Sequence, residues 1–221
     1  MGTLQRLKHG LFGLTLTALP AQACDVALAL TVDVSGSISP TEYNLQMLGL
    51  ADALEDPTIS DALVHGQVAL LLVQWTGAGR QTVSIPWTEI DSLETLRAFA
   101  ANVRGTERAW RHFSTAIGDA LLFTAAQFAD APPCARQVID VSGDGVSNEG
   151  SIAGQSRDRV VALGVTINGL AIETSVEELT RYYDKFVIGG EGAFVLTALN
   201  YADYPRAIRR KLLSEVVRPA S

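Results

Sequence analysis

The feature that most constrains the fold is an almost uninterrupted apolar run over residues 25–32, which ends directly in a carboxylate. That carboxylate, Asp33, is followed by hydroxyls at alternate positions, Ser35 and Ser37. A half-exposed strand alternates apolar and polar residues, whereas a run this apolar is typical of a strand buried on both faces of a parallel sheet. Pro40 then stands where a helix can begin, because proline is favoured in the first helical turn. The polar residues therefore lie on a strand-to-helix turn.

The alternation of strands and helices continues along the chain. Apolar periodicity predicts strands over 25–32, 68–75, 82–85, 137–142, 165–172 and 193–199 and helices over 41–54, 92–103, 115–128, 151–162, 176–183 and 203–217. The second and third strands are joined by a short glycine-rich turn, so we expect them to form one hairpin. The later strands alternate with helices, which indicates parallel neighbours. We predict an α/β fold: a doubly wound, mostly parallel six-stranded sheet with one antiparallel edge strand and helices on both faces.

The first 23 residues differ in character from the rest. Two basic residues precede a short apolar core over 11–19, and Ala21-Gln22-Ala23 forms a small-x-small cleavage site. A membrane-spanning helix needs about 20 apolar residues, and this core is much shorter. We therefore predict a signal peptide over 1–23, one domain over 24–221, no membrane span, and a secreted or periplasmic location.

Charge limits the class of partner. The whole sequence has a formal net charge of −7, and removal of the signal peptide takes away Arg6 and Lys8 but no acid, which leaves −9. Nucleic-acid binding relies on clusters of Lys and Arg that neutralise phosphates, so we expect no nucleic-acid partner. One basic cluster, Arg209-Arg210-Lys211, lies in the predicted last helix, where we expect it to complement the helix dipole.

The residues after the first strand have two interpretations. Asp33, Ser35 and Ser37 offer the kind of oxygen ligands that Mg²⁺ prefers. Alternatively, Ser37 or Ser39 simply caps the helix that begins at Pro40. The rest of the chain is needed to choose between a cation site and a helix cap.

A second carboxylate follows a second buried strand. Asp144 stands between two glycines after the strand over 137–142, and glycine lets the backbone turn sharply there. In parallel sheets, ligands bind beyond the carboxyl ends of the strands, where the winding reverses. If the strands that end at Asp33 and Asp144 are neighbours, the two acids converge on one site, and the helix that begins near Thr115 can add a hydroxyl. Ser39 is then left as the helix cap.

These motifs resemble those of the von Willebrand factor A domain and its metal-ion-dependent adhesion site. The family's Asp-x-Ser-x-Ser is present at 33–37, its threonine shortly before Gly-x-Ala-Leu at Thr115 and 118–121, and its aspartate before glycine at Asp144. The resemblance covers about residues 25–217 and extends to secreted bacterial proteins that carry this domain. One departure is Phe113-Ser114, where the family commonly has glycine before the threonine.

The resemblance implies a divalent cation at the carboxyl edge of the sheet, usually Mg²⁺, with Mn²⁺ or Ca²⁺ as alternatives. Ser35, Ser37 and Thr115 would hold the cation with their hydroxyls. Asp33 and Asp144 would bond to it directly or through water. Its open coordination position would accept an acidic side chain from a partner protein. We therefore expect an exported, adhesion-type protein-binding module and not an enzyme.

Two cysteines lie at matching places before the two acids. Cys24 precedes Asp33 by nine residues and Cys134 precedes Asp144 by ten, so neighbouring parallel strands would bring both thiols to the opposite edge of the sheet. In an exported protein this placement favours a disulfide, which would stabilise the fold by about 4–5 kcal/mol through loop closure. Two free thiols and a lipid on Cys24 are the alternatives.

Other functions have less support. The sequence contains neither a Gly-x-Ser-x-Gly elbow nor a His-Glu-x-x-His helix. A Mg²⁺-dependent hydrolase acting on a phosphoester or ester, with His112 as general base, is one alternative, and a structural domain without metal is another. Trp110 and His112 are candidate partner contacts, although Trp110 could equally pack over the sheet end. Asp140, inside a buried strand, needs partners that the sequence does not identify.

Overall fold

The computed structural model describes residues 24–174, 176 and 178–216, so the predicted signal peptide lies outside the described residues. The strands of this part are β1 (Cys24–Asp33), β2 (Ala69–Trp75), β3 (Gln81–Glu89), β4 (Cys134–Gly143), β5 (Thr166–Ile172) and β6 (Val195–Ala198). The helices are α1 (Pro40–Leu54), α2 (Pro57–His65), α3 (Leu93–Gly105), α4 (Ile117–Ala126), α5 (Ala153–Val161), α6 (Leu179–Phe186) and α7 (Tyr204–Val216), with a short 3-10 helix (Gln127–Asp130) after α4. None of these helices is long and apolar enough to cross a bilayer.

The strands form one six-stranded sheet in the order β3-β2-β1-β4-β5-β6. β3 lies at an edge and runs antiparallel to β2, and all other neighbouring pairs are parallel. The predicted fold class is confirmed. β1 lies between β2 and β4, where the winding reverses, so the strand that ends at Asp33 and the strand that precedes Asp144 are neighbours.

Burial on both faces of β1 explains its almost uninterrupted apolar run. Val26, Leu28 and Leu30 pack in one core cluster with α1, α2, α3 and α7. Ala27 and Ala29 pack in a second cluster with α4, α5 and α6. A strand covered by helices on both sides has no solvent face on which polar residues would be favoured.

The sequence predicts no helix over the span of α2, and its formation has a local cause. Asp56-Pro57 directly follows α1 and has the composition of a helix stop. In the structure, Asp56 Oδ1 accepts hydrogen bonds from the N–H groups of Thr58 (3.0 Å) and Ile59 (3.4 Å). An aspartate cap followed by proline in the first turn favours a new helix, so the dipeptide ends one helix and begins another.

The other elements differ from the predicted ones mainly at their ends. β3 runs to Glu89 and not to residue 85, and α6 begins at Leu179 and not at residue 176. Ser39 caps α1 as expected: its hydroxyl accepts from the Glu42 N–H at 3.3 Å, and the Glu42 carboxylate accepts from the Ser39 N–H at 2.8 Å. This capping box fixes the start of α1 without using Ser37.

A disulfide joins β1 and β4 at the amino edge of the sheet. Cys24 and Cys134 are register partners on the two strands, and the bonded residues have Cα atoms 4.6 Å apart. The expected pairing is therefore present, and it uses the Cys24 sulfur that a lipid would also require. The bond fixes the edge of the sheet opposite to the one where Asp33 lies.

Asp140, the carboxylate inside β4, has a buried cation as its partner. Lys211 Nζ on α7 lies 2.6 Å from Asp140 Oδ1 and 2.8 Å from Glu215 Oε1, and Asn168 Nδ2 donates to that Glu215 oxygen at 2.9 Å. The expectation that Lys211 complements the helix dipole is therefore wrong. A buried ammonium requires compensating charge, and two acids inside the protein provide it.

Candidate metal centre

The loop after β1 presents its polar atoms at the carboxyl edge of the sheet. Asp33 ends the strand, and its Oδ1 accepts a 2.7 Å hydrogen bond from the Ser35 N–H. The hydroxyl oxygens of Ser35 and Ser37 are 3.2 Å apart. Asp33 and Ser35 are buried whereas Ser37 is exposed, so this row of oxygen atoms runs from the interior to the surface.

Asp144, which follows β4, faces this loop directly. Ser37 Oγ donates a 2.8 Å hydrogen bond to Asp144 Oδ1. Gly143 permits the close approach of the two strand ends, because a Cβ at that position would lie 2.8 Å from Asp33 Oδ2. The two acids therefore lie at one site, on neighbouring strands.

Thr115 lies beside the Asp144 turn and is held by the loop that follows it. The Thr115 N–H donates to Asn148 Oδ1 at 2.9 Å, and the Thr115 carbonyl accepts from the Asn148 N–H at 2.9 Å. Thr115 Oγ1 lies 3.6 Å from where a Cβ on Gly145 would be. The structure thus brings all five predicted ligand residues to one edge of the sheet, with Thr115 positioned through its backbone.

The start of α4, which follows Thr115, packs against the loop that follows Asp144. A Cβ on Gly118 would overlap the Ser151 carbonyl oxygen, so glycine is required where the loop after Asp144 packs on the helix. Ser147 Oγ accepts a 3.2 Å hydrogen bond from the Ile117 N–H, a donor that no residue of the helix itself can satisfy. The loop that follows one acid therefore caps the helix that follows the threonine.

Arg108 also holds the loop after β1, although none of the sequence motifs includes it. Its Nη1 donates to the Ile38 carbonyl at 2.7 Å, and its Nη2 donates to the carbonyls of Val34 at 3.0 Å and Ser35 at 2.6 Å. Three carbonyl acceptors on one guanidinium fix the curvature of the loop that presents Ser35 and Ser37. The sequence signal is weak, because Arg108 and Ser35 are 73 residues apart.

Both acids of the site are poorly suited to carry charge without a cation. Burial, followed by the charge of Asp144, raises the pKa of Asp33 to about 7, and burial also raises the pKa of Asp144. Asp33 Oδ2 is buried and has no hydrogen-bond partner among the described residues. The charge of Arg108 lowers the pKa of Asp33 only in part, and a bound cation would supply further positive charge.

The donor set suits a hard cation. It consists of two carboxylates and three hydroxyls, on Asp33, Asp144, Ser35, Ser37 and Thr115, and Mg²⁺ and Ca²⁺ prefer oxygen ligands. In the part of the chain that the structure describes, no three or more His, Cys, Asp or Glu side chains cluster in a way that could hold a metal ion. A cation at this site would therefore depend on the hydroxyls.

The two predicted partner contacts lie in different surroundings. Trp110 is half-buried and packs against the core cluster that includes α1 and α7, which agrees with the packing alternative. His112 is exposed, and its Cα lies 3.6 Å from where a Cβ on Gly36 would be. His112 therefore stands at the rim of the site, beside the loop that carries Ser35 and Ser37.

A comparison with models of protein families gives a match over nearly all of the predicted domain. A model described as "Protein of unknown function (DUF1194)" matches residues 23–220. A comparison with curated protein sequences finds no significant match.

Several solved structures share the fold. Proximal thread matrix protein 1 from the mussel byssus, "with zinc occupied MIDAS motif", has a TM-score of 0.65 at 18% identity, over 89% of this chain and 48% of that chain. The pilus adhesin SpaC from Lactobacillus rhamnosus GG has a TM-score of 0.66 at 11% identity, over 90% and 31%. A von Willebrand factor type A protein from Catenulispora acidiphila has a TM-score of 0.62 at 17% identity, over 90% and 44%. This chain spans less than half of each of these proteins, and the likeness shows the von Willebrand factor A fold.

Proposed function

This chain belongs to the DUF1194 family, and from that premise we propose that it is an exported, metal-dependent protein-binding module of the adhesion type. A Mg²⁺-type cation at the carboxyl edge of the sheet would be held by Ser35, Ser37 and Thr115, with Asp33 and Asp144 bonding to it directly or through water. Mn²⁺ and Ca²⁺ have the same preference for oxygen ligands and are the alternatives.

The observation that carries this proposal is the unbalanced pair of acids, Asp33 and Asp144. Both are at most 2% exposed, and one Asp33 oxygen has no hydrogen-bond partner in the described residues. The guanidinium of Arg108 donates to main-chain carbonyls and forms no ion pair with either acid. Burial of two carboxylates that form no ion pair is costly, and a divalent cation would offset that cost.

A bound cation would supply a concentrated positive charge to which a carboxylate from a partner protein can bind. The chain's own residues would fix and expose the site. Arg108 and the Ser35 N–H hold the loop, and Ser37 lies at the surface, where a partner can reach it. The zinc-occupied motif of the mussel protein and the adhesin role of SpaC are consistent with this use of the fold.

Export is the second part of the proposal. The signal peptide over 1–23 would be removed and leave a domain over 24–221 that is secreted or periplasmic. The Cys24–Cys134 disulfide supports this location, because disulfides form and persist mainly in oxidising compartments. We propose no nucleic-acid partner, in keeping with the acidic net charge of −7.

Neither alternative has a specific observation in its favour. A hydrolase would need a positioned base, and His112 is exposed with no side-chain hydrogen bond among the described residues to orient it. A structural domain without metal would leave Asp33 and Asp144 uncompensated.

Calorimetric titration of the exported protein with Mg²⁺ and Mn²⁺ tests the proposal. We expect saturable binding near one ion per chain, lost in Asp144→Ala and retained in Asp61→Ala, a matched control at an exposed position on α2. Absence of binding by the folded wild type, or equal binding by both variants, would contradict the proposal. Turnover of phosphoester or ester substrates that is lost in His112→Ala would favour the hydrolase.

A further inference from the structure

One side of the metal centre carries an exposed patch that the metal ligands do not use. We call it the basic rim and define it as Arg80, Arg111, His112 and Phe113. Arg80 lies in the hairpin after β2, and the other three precede Thr115. Residues 111–114 are all exposed, so the basic rim forms the surface next to the proposed ligands.

The basic rim is fixed to the metal centre by hydrogen bonds. The Gly36 N–H donates to the Phe113 carbonyl at 2.9 Å, and Gly36 lies between Ser35 and Ser37 in the sequence. Thr76 Oγ1 in the hairpin donates to the Ser114 carbonyl at 2.9 Å. The guanidinium carbon of Arg80 lies 3.9 Å from the centroid of the Phe113 ring. The rim therefore has a defined position relative to Ser35 and Ser37.

The arginines of the basic rim have no acidic partner in the described residues. Within the described ranges, six other basic residues form ion pairs: Arg104, Arg157, Arg181, Arg206, Arg209 and Lys211. Glu149, an acid on the same side as the rim, accepts a hydrogen bond from the Ala78 N–H at 3.1 Å and pairs with neither Arg80 nor Arg111. In a chain with 24 acids and 17 basic residues, Arg80 and Arg111 are therefore two cations beside the site that form no ion pair among the described residues.

The opposite side of the same sheet edge is acidic. A surface pocket near the end of β5 and the start of α6 is lined by Glu173, Glu178 and Asp184, with Arg181 among them. The sheet order places this pocket beyond β4, whereas the hairpin of the basic rim lies beyond β1 on the other side. An acidic ligand would therefore be oriented towards the rim, because like charges repel it from the other side.

Apolar surface accompanies the positive charge. Phe113 is 39% exposed and Val146 is 37% exposed. Val146 follows Gly145, which lies close to Thr115, so the two apolar side chains belong to the loops on either side of the proposed ligands. Exposed aromatic and apolar side chains next to charged anchors are typical of binding surfaces.

Resting on the proposed function, we infer that the partner is an acidic protein segment that has a second carboxylate and an apolar side chain next to the carboxylate that binds the metal. The second carboxylate would contact Arg80 and Arg111, and the apolar side chain would pack on Phe113. Charge complementarity with the basic rim, together with the acidic pocket opposite, favours this occupant.

Three matched synthetic peptides test the inference in the presence of Mg²⁺. All three have a central Glu in a Gly/Ser background. The first also has Leu and Asp directly after the Glu, the second has Ser in place of the Asp, and the third has Ser in place of the Leu. We expect the wild type to bind the first peptide about two- to fivefold more tightly than the second, the range for one exposed ion pair, and more tightly than the third.

Variants of the basic rim test whether its residues cause these preferences for Asp and Leu. Arg111→Ala should weaken the preference for Asp, and the double variant Arg80→Ala/Arg111→Ala should remove it. Phe113→Ala should remove the preference for Leu. Arg159→Ala, at an exposed position on α5 without an ion pair in the described residues, is the matched control and should behave as the wild type. Mn²⁺ binding is measured by calorimetry for every variant and should be unchanged.

The outcomes separate this inference from the proposed function. If the metal binds but no peptide does, or if the three peptides bind equally, or if the double variant Arg80→Ala/Arg111→Ala keeps the preference for Asp, the inference is wrong and the metal site stands. If the wild type does not bind the metal, both are overturned.

Discussion

The hydroxyl of Ser37 donates a 2.8 Å hydrogen bond to Asp144 across a sequence separation of 107 residues. This contact joins the loops that follow two central, neighbouring strands, β1 and β4. It exists because the chain reverses its winding between these strands, which brings their carboxyl ends together. Any ligand of the Ser37 hydroxyl is therefore also close to the Asp144 carboxylate, and a change at either residue is expected to affect both.

The stability of the metal-free protein should fall as the pH rises. The pKa of Asp33 is raised from 3.8 to about 7 by burial and by the charge of Asp144, so the folded state holds this proton more tightly than the unfolded state. The contribution is complete below about pH 4 and is lost as the pH rises through about 7. We expect the metal-free protein to be less stable at pH 8 than at pH 5, by on the order of 2 kcal/mol, in denaturant unfolding with chelator present.

Two further measurements, one on variants and one with Mg²⁺, test whether this pH effect comes from Asp33. Asp33→Asn should reduce the pH dependence, whereas Asp61→Asn on the exposed face of α2 should leave it unchanged. Burial also raises the pKa of Glu215 to about 7, so part of the slope should persist in Asp33→Asn. Saturating Mg²⁺ should stabilise the wild type more at pH 8 than at pH 5, because the cation competes with the proton. An equal effect of Mg²⁺ at both pH values would contradict this account.

Arg108→Met should weaken metal binding. If only charge mattered, removal of a guanidinium near the site would strengthen the binding of a cation. The hydrogen bonds to Val34, Ser35 and Ile38 predict the opposite, because the loop that presents the hydroxyls loses its support. We expect at least about a tenfold loss of Mn²⁺ affinity, equivalent to about 1.4 kcal/mol, measured by calorimetry.

Arg97→Met is the control for Arg108→Met, since Arg97 is exposed on α3 and forms no ion pair in the described part of the chain. It should bind Mn²⁺ as the wild type does. Tighter binding by Arg108→Met than by Arg97→Met would show that charge, and not loop position, dominates.

The disulfide should stabilise the fold without affecting the metal site. Cys24 and Cys134 lie at the amino edge of the sheet, opposite to Asp33 and Asp144, and the bond closes a loop with a sequence separation of 110. The double variant Cys24→Ser/Cys134→Ser should lose up to about 4–5 kcal/mol of unfolding free energy. At a temperature where the variant is still folded, its Mn²⁺ affinity should equal that of the wild type. A loss of affinity in the folded variant would show that the two edges are coupled.

Replacement of Lys211 should destabilise the protein strongly. Its ammonium lies 2.6 Å from Asp140 and 2.8 Å from Glu215, and all three side chains are buried. Lys211→Met leaves two buried acids without a cation, which is expected to cost about 3–5 kcal/mol in denaturant unfolding. Arg210→Met, at the exposed neighbouring position, should change the stability by less than about 0.5 kcal/mol. Similar stabilities of the two variants would contradict the assigned role of the buried ion pair.

The sequence predicts those parts of the fold that depend on local pattern. Apolar runs and helical periodicity are local, so the mostly parallel sheet and its one antiparallel edge follow from them. That β1 and β4 are neighbours is only a condition at the level of the sequence, and the structure shows it. The cap at Ser39 also follows, because it depends on adjacent residues. The Cys24–Cys134 pair follows from offsets of nine and ten residues before Asp33 and Asp144, once the two strands are neighbours. The helix α2 is not predicted, because Asp56-Pro57 is interpreted as a helix stop, whereas the structure shows that Asp56 also caps a new helix.

Contacts between distant loops could not be predicted from the sequence. Arg108 donates to the Val34 and Ser35 carbonyls over more than 70 residues. Nothing in the sequence distinguishes Arg108 from an arginine in an exposed loop. From the sequence, Lys211 is expected to be a surface residue of a basic cluster. The structure shows that it pairs with Asp140 inside the protein. In both cases a side chain meets a partner that only the tertiary fold brings near.

Anomalous scattering from crystals of the exported protein grown with Mn²⁺ tests the central claim most directly. We expect a single strong peak at the carboxyl edge of the sheet, bonded to the hydroxyls of Ser35, Ser37 and Thr115 and close to the carboxylates of Asp33 and Asp144. Absence of a peak at this edge at saturating Mn²⁺, or a peak held by other residues, would contradict the account.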